Sequence, residues 1–171
     1  KPRYIFRIQD QLVRDIIVQT AFERPVYYSG SVGGDAHCGL EKYFRMEGLA
    51  YRVCPVPQSS AKGGQTVNPD IMDKTILNIL PFDEFHTEPH YGFKLRNLNN
   101  PNAFFDETNR HPAVANFRNL YINYANYLLY DANNPQKAAA VLDTMNKYIS
   151  VQQFPLFFAQ LYQMSMLYNR A

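Results

Sequence analysis

Residues 39–56, GLEKYFRMEGLAYRVCPV, decide the fold. Their first part predicts a short helix over residues 39–46, which Glu47 and Gly48 end, and their second part predicts a strand over 49–56. Upstream, residues 26–32 (VYYSGSV) predict another strand that stops at a glycine-rich break. A strand, a short helix and a second strand over about 30 residues have the length of a small parallel crossover. The sequence therefore predicts a parallel α/β unit.

The segments around this unit also have predictable secondary structure. Residues 9–22 predict an amphipathic helix with Leu12, Ile16 and Ile17 on one face, and Arg24-Pro25 ends it because a residue before proline prefers extended geometry. Residues 57–69 are loop-like in composition, and 70–80 predict a short helix. Residues 81–106 are irregular and rich in asparagine, proline and aromatic residues.

The rest of the chain has a helical pattern. Helices are predicted over residues 112–130, 135–149 and 155–169, with Asn134-Pro135 as a favourable start for the second. The short connection makes the first two antiparallel, and small residues give a partial fit to a tetratricopeptide unit. The predicted fold class is α+β, with an α/β portion over 1–106, a tetratricopeptide-like antiparallel helical tail over 107–171, and both packed as one unit.

Composition excludes several classes of protein. The 171 residues carry 17 Lys+Arg against 15 Asp+Glu, a net charge of +2, which argues against a nucleic-acid partner. Hydrophobic residues make up 46% and aromatic residues 15%, which excludes a wholly disordered chain. No stretch is long and apolar enough to predict a membrane span, and no signal peptide is evident. The two ends suggest an excised fragment.

Cys38 and Cys54 allow one disulfide, although Cys54 fits a buried hydrophobic position.

Three segments together carry a family resemblance. They are residues 15–17 with 22–28 (DII and FERPVYY), residues 39–44 (GLEKYF) and residues 47–56 (EGLAYRVCPV). They resemble the soluble C-terminal portion of a bacterial family of multi-spanning membrane proteins with a domain of unknown function. The membrane half of that family is similar to protein O-mannosyltransferases. Residues 102–106 through 116–118 resemble the family's link into a tetratricopeptide-like tail, whereas residues 35–38 have no counterpart.

The resemblance implies a non-catalytic accessory domain of a glycosyltransferase-like membrane protein. It implies a place on the extracytoplasmic, periplasmic face of the inner membrane. The implied partners are the membrane-embedded half of the same polypeptide and a protein or glycan acceptor. It carries over no catalytic residue, metal or cofactor. Whether the chain is itself an enzyme stays open, and a plain helical protein-interaction module is an alternative.

The loop from Gly30 to Gly39 is the sharpest local candidate for ligand binding. Backbone amides there could hold a phosphate or a sugar phosphate before a helix, which would make the chain a stand-alone binding domain or enzyme. The loop lacks the lysine of a phosphate-binding P-loop, and a tight turn that requires glycine is the alternative. His37 beside Cys38 also invites a nucleophile–base hypothesis. The candidate ligand-binding residues are Gly33, Gly34, Asp35, His37, Arg24 and Arg52.

Two further groups of residues have competing interpretations. His86 and His90, with Glu84 and Glu88, have the spacing of zinc ligands on a helix, but Pro89 disfavours a helix there, so solvated loop histidines are the alternative. Aromatic residues in the irregular segment either lie flat on the domain or form a partner surface. These are Phe82, Phe85, Tyr91, Phe93, Phe104 and Phe105.

Three arginines are candidates for buried ion pairs. They are Arg24, Arg52 and Arg118, with Glu23, Glu41 or Glu47 as the expected partners.

Overall fold

The computed structural model describes residues 7–60, 65–81, 83, 85–106 and 113–171. Its described helices are α1 (Ile8–Thr20), α2 (Pro69–Ile76), α3 (Val114–Tyr130), α4 (Pro135–Tyr148) and α5 (Phe158–Tyr168). The strands are β1 (Tyr27–Ser29), β2 (Phe44–Glu47) and β3 (Ala50–Val53). The mixed helix and strand content confirms the coarse prediction of an α+β chain. None of the helices in the described ranges is long and apolar enough to cross a membrane.

The sheet corrects the predicted parallel unit. Its strand order is β1-β3-β2, and both pairings are antiparallel. Residues 44–47 form β2 rather than the end of a helix, because Phe44 and Met46 are buried at alternating positions. Gly48, with φ +66°, starts a two-residue turn into β3. A sequence read as a helix stop is therefore a hairpin turn, and no crossover helix remains.

The two faces of the sheet differ sharply. Tyr28, Phe44 and Val53 form a small buried cluster, against which Val13 and Ile17 of α1 pack. The opposite face carries polar residues, because neighbouring positions along a strand point to opposite sides. Residues Tyr27, Arg45, Glu47 and Arg52 lie there.

The main core lies among the later helices. Fully buried side chains of α3 and α4 pack together, and α5 and α2 contact α3. Met46 and Val67 belong to the same core, so the sheet and the helices share it. Tyr121 of α3 donates a hydrogen bond to the Ile76 carbonyl at 3.2 Å, which fixes α2 against α3.

The helix ends follow their sequence signals to different degrees. Asn134 caps α4 by accepting a hydrogen bond from the Lys137 amide at 3.1 Å, and Pro135 occupies the first turn, as predicted. α1 ends at Thr20 instead of residue 22, since Ala21 and Phe22 both adopt positive φ. The helical hairpin of α3 and α4 is present. Its identity as a tetratricopeptide unit, and the division at residues 106 and 107, stay predictions.

Candidate functional site

The loop from Gly30 to Gly39 packs tightly at one end. The Gly30 amide donates to the Leu49 carbonyl at 2.7 Å, and a Cβ at Gly30 would lie 2.7 Å from that oxygen. Gly39 adopts φ +73°. Glycine is thus required at both positions for close approach or backbone geometry. Gly33 and Gly34 are exposed and lead into a short 3₁₀ turn over Gly34–Ala36.

Asp35 ties this loop to the start of α1. Arg7 forms an ion pair with Asp35 at 3.4 Å and another with Asp10 at 3.3 Å. Hydrogen bonds from the Arg7 backbone amide and guanidinium lower the pKa of Asp10. Arg7 therefore links the loop to the start of α1, and the negative charge of Asp35 is unfavourable for binding an anion at this loop.

His37 and Cys38 point into the small cluster beneath the loop. The His37 ring lies 5.6 Å from the Tyr28 ring and 5.0 Å from the Phe44 ring, and its Nε2 is 3.2 Å from the Val32 carbonyl. The Cys38 thiol donates to Asp10 at 3.3 Å. Burial raises the pKa of Cys38, although its hydrogen bond with Tyr28 opposes the shift. This environment disfavours the thiolate that a nucleophile requires. Both Cys38 and Cys54 are free thiols.

The two arginines assigned to the same ligand site lie apart from the inner cluster. Arg52 is on the polar face of the sheet, opposite to the face against which His37 packs. Arg24 is exposed and makes no hydrogen bond or ion pair with any described residue. The structure thus brings Gly33, Gly34, Asp35 and His37 into one loop and leaves Arg24 and Arg52 outside the His37 environment. Their shared ligand role stays a prediction.

Glu47 organises the polar face of the sheet. Its side chain is 2% exposed, and it accepts hydrogen bonds from the Tyr27 hydroxyl at 2.8 Å, Arg45 Nη2 at 2.8 Å and Asn68 Nδ2 at 3.0 Å. Arg52 Nη1 lies 3.9 Å away, so of the three expected glutamate partners it is Glu47 that pairs with Arg52, whose own side chain stays partly exposed. Burial by itself raises the pKa of Glu47, but the hydrogen bonds from Asn68, Tyr27 and Arg45 outweigh it and lower the pKa.

Arg118 does not form the predicted ion pair with a glutamate. Arg118 is 2% exposed but contacts no carboxylate of a described residue, Glu23, Glu41 and Glu47 included; its guanidinium donates to the carbonyls of Ser150, Phe154 and Pro155. The expectation of a glutamate partner was therefore wrong for Arg118. The reason is that the chain between α4 and α5 turns over α3 and presents backbone acceptors to it.

The aromatic residues of the irregular segment divide into two groups. Phe93 packs edge-to-face on Phe117 at 5.3 Å, and Phe105 packs on Phe154 at 5.0 Å, so both belong to the core boundary. Phe85 is 87% exposed and Phe104 is 91% exposed, and Tyr91 is also exposed. Phe82 lies outside the described residues. The partner surface stays a prediction for the exposed members alone.

His86 and His90, the two predicted zinc ligands, lie side by side. Their rings stack with centroids 4.2 Å apart. Across the part of the chain that the structure describes, no three His, Cys, Asp or Glu side chains are arranged to hold a metal ion. Glu84 lies outside that part.

α1 exposes an apolar stripe that includes two residues of the predicted apolar face, Leu12 and Ile16. Val13 and Ile17 face the sheet, whereas Ile8, Leu12 and Ile16 are 78%, 60% and 52% exposed. These three residues, spaced four apart, form one line along the helix, called here the α1 stripe. Beside α1, an apolar depression of about 250 Å³ is lined in part by Val18, Cys38 and Leu40.

Two groups of polar residues were not among the predicted functional residues. Tyr27 and Arg45 join Glu47 only because β1, β3 and β2 are neighbours, and the signal that could have found Arg45 is its alternation with Phe44 and Met46. Four asparagines follow one side of α3 at intervals of three, four and three residues. That spacing is visible in the sequence and marks one helix face.

One comparison with known proteins gives a match. The family model described as TMEM260-associated domain 2 matches residues 1–71, which include α1 and the whole sheet. This part of the chain is thus similar to a domain of a TMEM260-like membrane protein family. Searches of curated proteins and of solved structures gave no significant match.

Proposed function

Starting from that match, we propose that this chain is a non-catalytic accessory domain of a glycosyltransferase-like membrane protein. In this proposal the domain lies on the extracytoplasmic, periplasmic side. Residues 1–71 dock on the membrane-embedded half of the same polypeptide, and the helices α3 to α5, as a tetratricopeptide-like tail, present a surface to an acceptor. The observation that carries the proposal is the α1 stripe, which lies inside the family-matched part.

The α1 stripe is large enough to support docking. Three aliphatic side chains on one helix each keep more than half of their surface in water. Complete burial of such a side chain contributes roughly 1.5–3 kcal/mol, so covering the rest of these three would contribute roughly 3–5 kcal/mol. A line of exposed aliphatic residues of this kind is typical of an interface.

The loop beside α1 supports a non-catalytic role. Asp35 and Asp10 are engaged by Arg7, and the His37 ring is packed among aromatic rings. Burial raises the pKa of the Cys38 thiol. These groups maintain the contact between α1 and the sheet, which a docking element needs to be rigid.

Photo-crosslinking in membranes tests this proposal. A photoreactive residue replaces Leu12 or Ile16 in the polypeptide that contains both this chain and its membrane-embedded half, and Gln11, which is exposed off the stripe, gives the matched control. We expect crosslinks from positions 12 and 16 to the membrane-embedded half and few from position 11. Equal yields from all three positions, or no crosslinks to that half, would contradict the proposal.

A stability control keeps the result interpretable. Leu12→Asp and Ile16→Asp change exposed positions, so the unfolding midpoint of the isolated chain should shift by no more than it does for Gln11→Asp. In the membrane-containing polypeptide the first two variants should abolish the crosslinks from the neighbouring stripe position. Titration of the chain with sugar phosphates, followed by NMR, addresses the alternative: shifts confined to residues 33–39 would favour a small-molecule site instead.

A further inference from the structure

A polar groove runs along α3. Two adjoining depressions, of about 340 and 430 Å³, share Asn123 and Gln163 and therefore form one continuous feature. Near the start of α3, the β2–β3 turn contributes Gly48 and Leu49 to the groove. α5 contributes Gln163, and Arg170, which lies just beyond the end of α5, also lines the groove. None of these residues belongs to the α1 stripe, so the groove is a separate surface.

Four asparagines of α3 line this groove. Asn116, Asn119, Asn123 and Asn126 occupy positions i, i+3, i+7 and i+10, which fall on one side of a helix. They are called here the asparagine stripe. With a rise of 1.5 Å per residue, the stripe is about 15 Å long. Every member is at least partly exposed.

The amides of the asparagine stripe keep unused hydrogen-bonding capacity. Asn116 and Asn123 make no side-chain hydrogen bond with any described residue. Asn119 Oδ1 accepts from Gln160 at 3.0 Å, which leaves the Asn119 NH₂ group, and Asn126 Nδ2 donates to the Ile122 carbonyl at 3.1 Å, which leaves Oδ1. The groove therefore offers both amide donors and amide acceptors at the spacing of helix turns.

This arrangement matches the main chain of an extended polypeptide. Each peptide unit has one N–H donor and one C=O acceptor, and an asparagine amide can pair with both. A strand rises about 3.3 Å per residue, so a stripe of about 15 Å faces four or five residues of an extended segment. Charge does not direct the choice of ligand, because the groove carries one aspartate, Asp131, and one arginine, Arg170.

The aromatic residues of the groove favour a peptide over a glycan. Sugars bind largely by stacking on open ring faces, but Tyr127 stacks with Tyr124 at 6.2 Å. The Arg170 guanidinium lies 5.4 Å from the centre of the Tyr130 ring and donates to its hydroxyl at 2.8 Å. Each ring already has a partner within the protein, so the asparagine amides are the prominent recognition groups.

We propose that the asparagine stripe binds an extended segment of a partner protein through its main chain. This inference rests on the proposed function for its setting, since it names the acceptor class that the helical tail presents. Its test is separate, because it uses the 171-residue chain alone and does not involve the α1 stripe.

The test begins with a phage-displayed library of unstructured decapeptides, selected against the chain. Enriched peptides are then measured by fluorescence anisotropy. The variant Asn116→Ala/Asn123→Ala should weaken their binding about tenfold, because it removes two side-chain partners of the peptide main chain. Asn102→Ala, at an exposed asparagine outside the groove, is the matched control and should bind as the parent chain does.

Two further arms separate main-chain recognition from other causes. Peptides N-methylated at alternate positions should lose binding, whereas changes in their side chains should have smaller effects. Asn123→Asp keeps the side-chain shape but removes the NH₂ donor, so it should also weaken binding while its urea unfolding midpoint stays near that of the parent chain. Failure to enrich any peptide, affinity unchanged by the double variant, or binding of mannose oligosaccharides instead would overturn the proposal.

Discussion

Arg118 offers the sharpest test of how the helical tail is held together. Its side chain is buried, and its guanidinium donates to the carbonyls of Ser150 at 3.2 Å and Pro155 at 3.4 Å, and to that of Phe154. Burial lowers the pKa of Arg118 to about 10. Relative to an ordinary value above 12, this corresponds to a cost of roughly 3 kcal/mol for keeping the charged form inside.

The hydrogen bonds offset that cost. A hydrogen bond to a charged group contributes about 1.5–3 kcal/mol, and three acceptors share this guanidinium. Arg118→Met would remove the charge and its burial cost, but it would leave the Phe154 carbonyl without a donor in the core. Three such hydrogen bonds are lost, about 4.5–9 kcal/mol together, and about 3 kcal/mol of burial cost is recovered, so the net loss in the free energy of unfolding falls at about 1.5–6 kcal/mol. We expect about 3 kcal/mol. Arg118→Lys should lose about 1–2 kcal/mol, because one ammonium cannot reach three divergent carbonyls.

Urea unfolding at pH 7, followed by circular dichroism, measures these losses. For a chain of this size, 3 kcal/mol also lowers the thermal midpoint by roughly 6–12 °C. Arg24→Met at an exposed position serves as the control and should change stability by less than about 0.5 kcal/mol. If Arg118→Met were within 1 kcal/mol of the parent chain, the carbonyl cluster would not be a stabilising feature and the reasoning would be wrong.

Two other predictions concern the sheet and its neighbouring loop. Glu47→Gln should destabilise the chain by about 1–2 kcal/mol at pH 7, because it removes the charged acceptor shared by Tyr27, Arg45 and Asn68. The pKa of Glu47 is lowered on folding, so the stabilisation by its carboxylate is complete above the unfolded pKa of about 4.3 and is lost as the pH falls through the folded pKa. In urea unfolding, the difference in stability between the variant and the parent chain should therefore persist at pH 7 and shrink below about pH 4. A difference that does not depend on pH would refute this prediction. Gly92→Ala should lower the free energy of unfolding more than Gly48→Ala. Both glycines adopt positive φ, +129° at Gly92 and +66° at Gly48. A Cβ at Gly92 would lie 2.5 Å from the Asn78 carbonyl oxygen, whereas the nearest neighbour of a Cβ at Gly48 would be 3.9 Å away. We expect about 1 kcal/mol for Gly48→Ala and at least twice that for Gly92→Ala from the same unfolding curves, and equal losses would show that backbone strain alone decides both.

Local sequence signals were sufficient where a segment's own residues control its structure. The start of α4 follows from Asn134-Pro135, since the cap and the first turn are contacts within the segment. The three later helices were predicted because their apolar residues repeat with helical spacing over many residues. The membrane-protein resemblance also came from local motifs, and a family model matches that part of the chain.

Tertiary structure decided the features that depend on distant neighbours. Residues 39–56 contain a hairpin rather than a helix and a strand, because pairing of β2 with β3, and of β3 with β1, outweighs a short helical pattern. Packing of α1 on the sheet partly buries Val13 and Ile17 and leaves Leu12 and Ile16 exposed. Packing of the helices also places backbone carbonyls, and not one of the expected glutamates, beside Arg118. It also aligned Gln163 and Arg170 beside the asparagine stripe. The sequence by itself determined the three later helices, whose apolar residues repeat at helical spacing, and the family that the chain resembles. Packing decided most partners of the charged and apolar side chains, because many of those partners, such as the carbonyls around Arg118, lie tens of residues away along the chain.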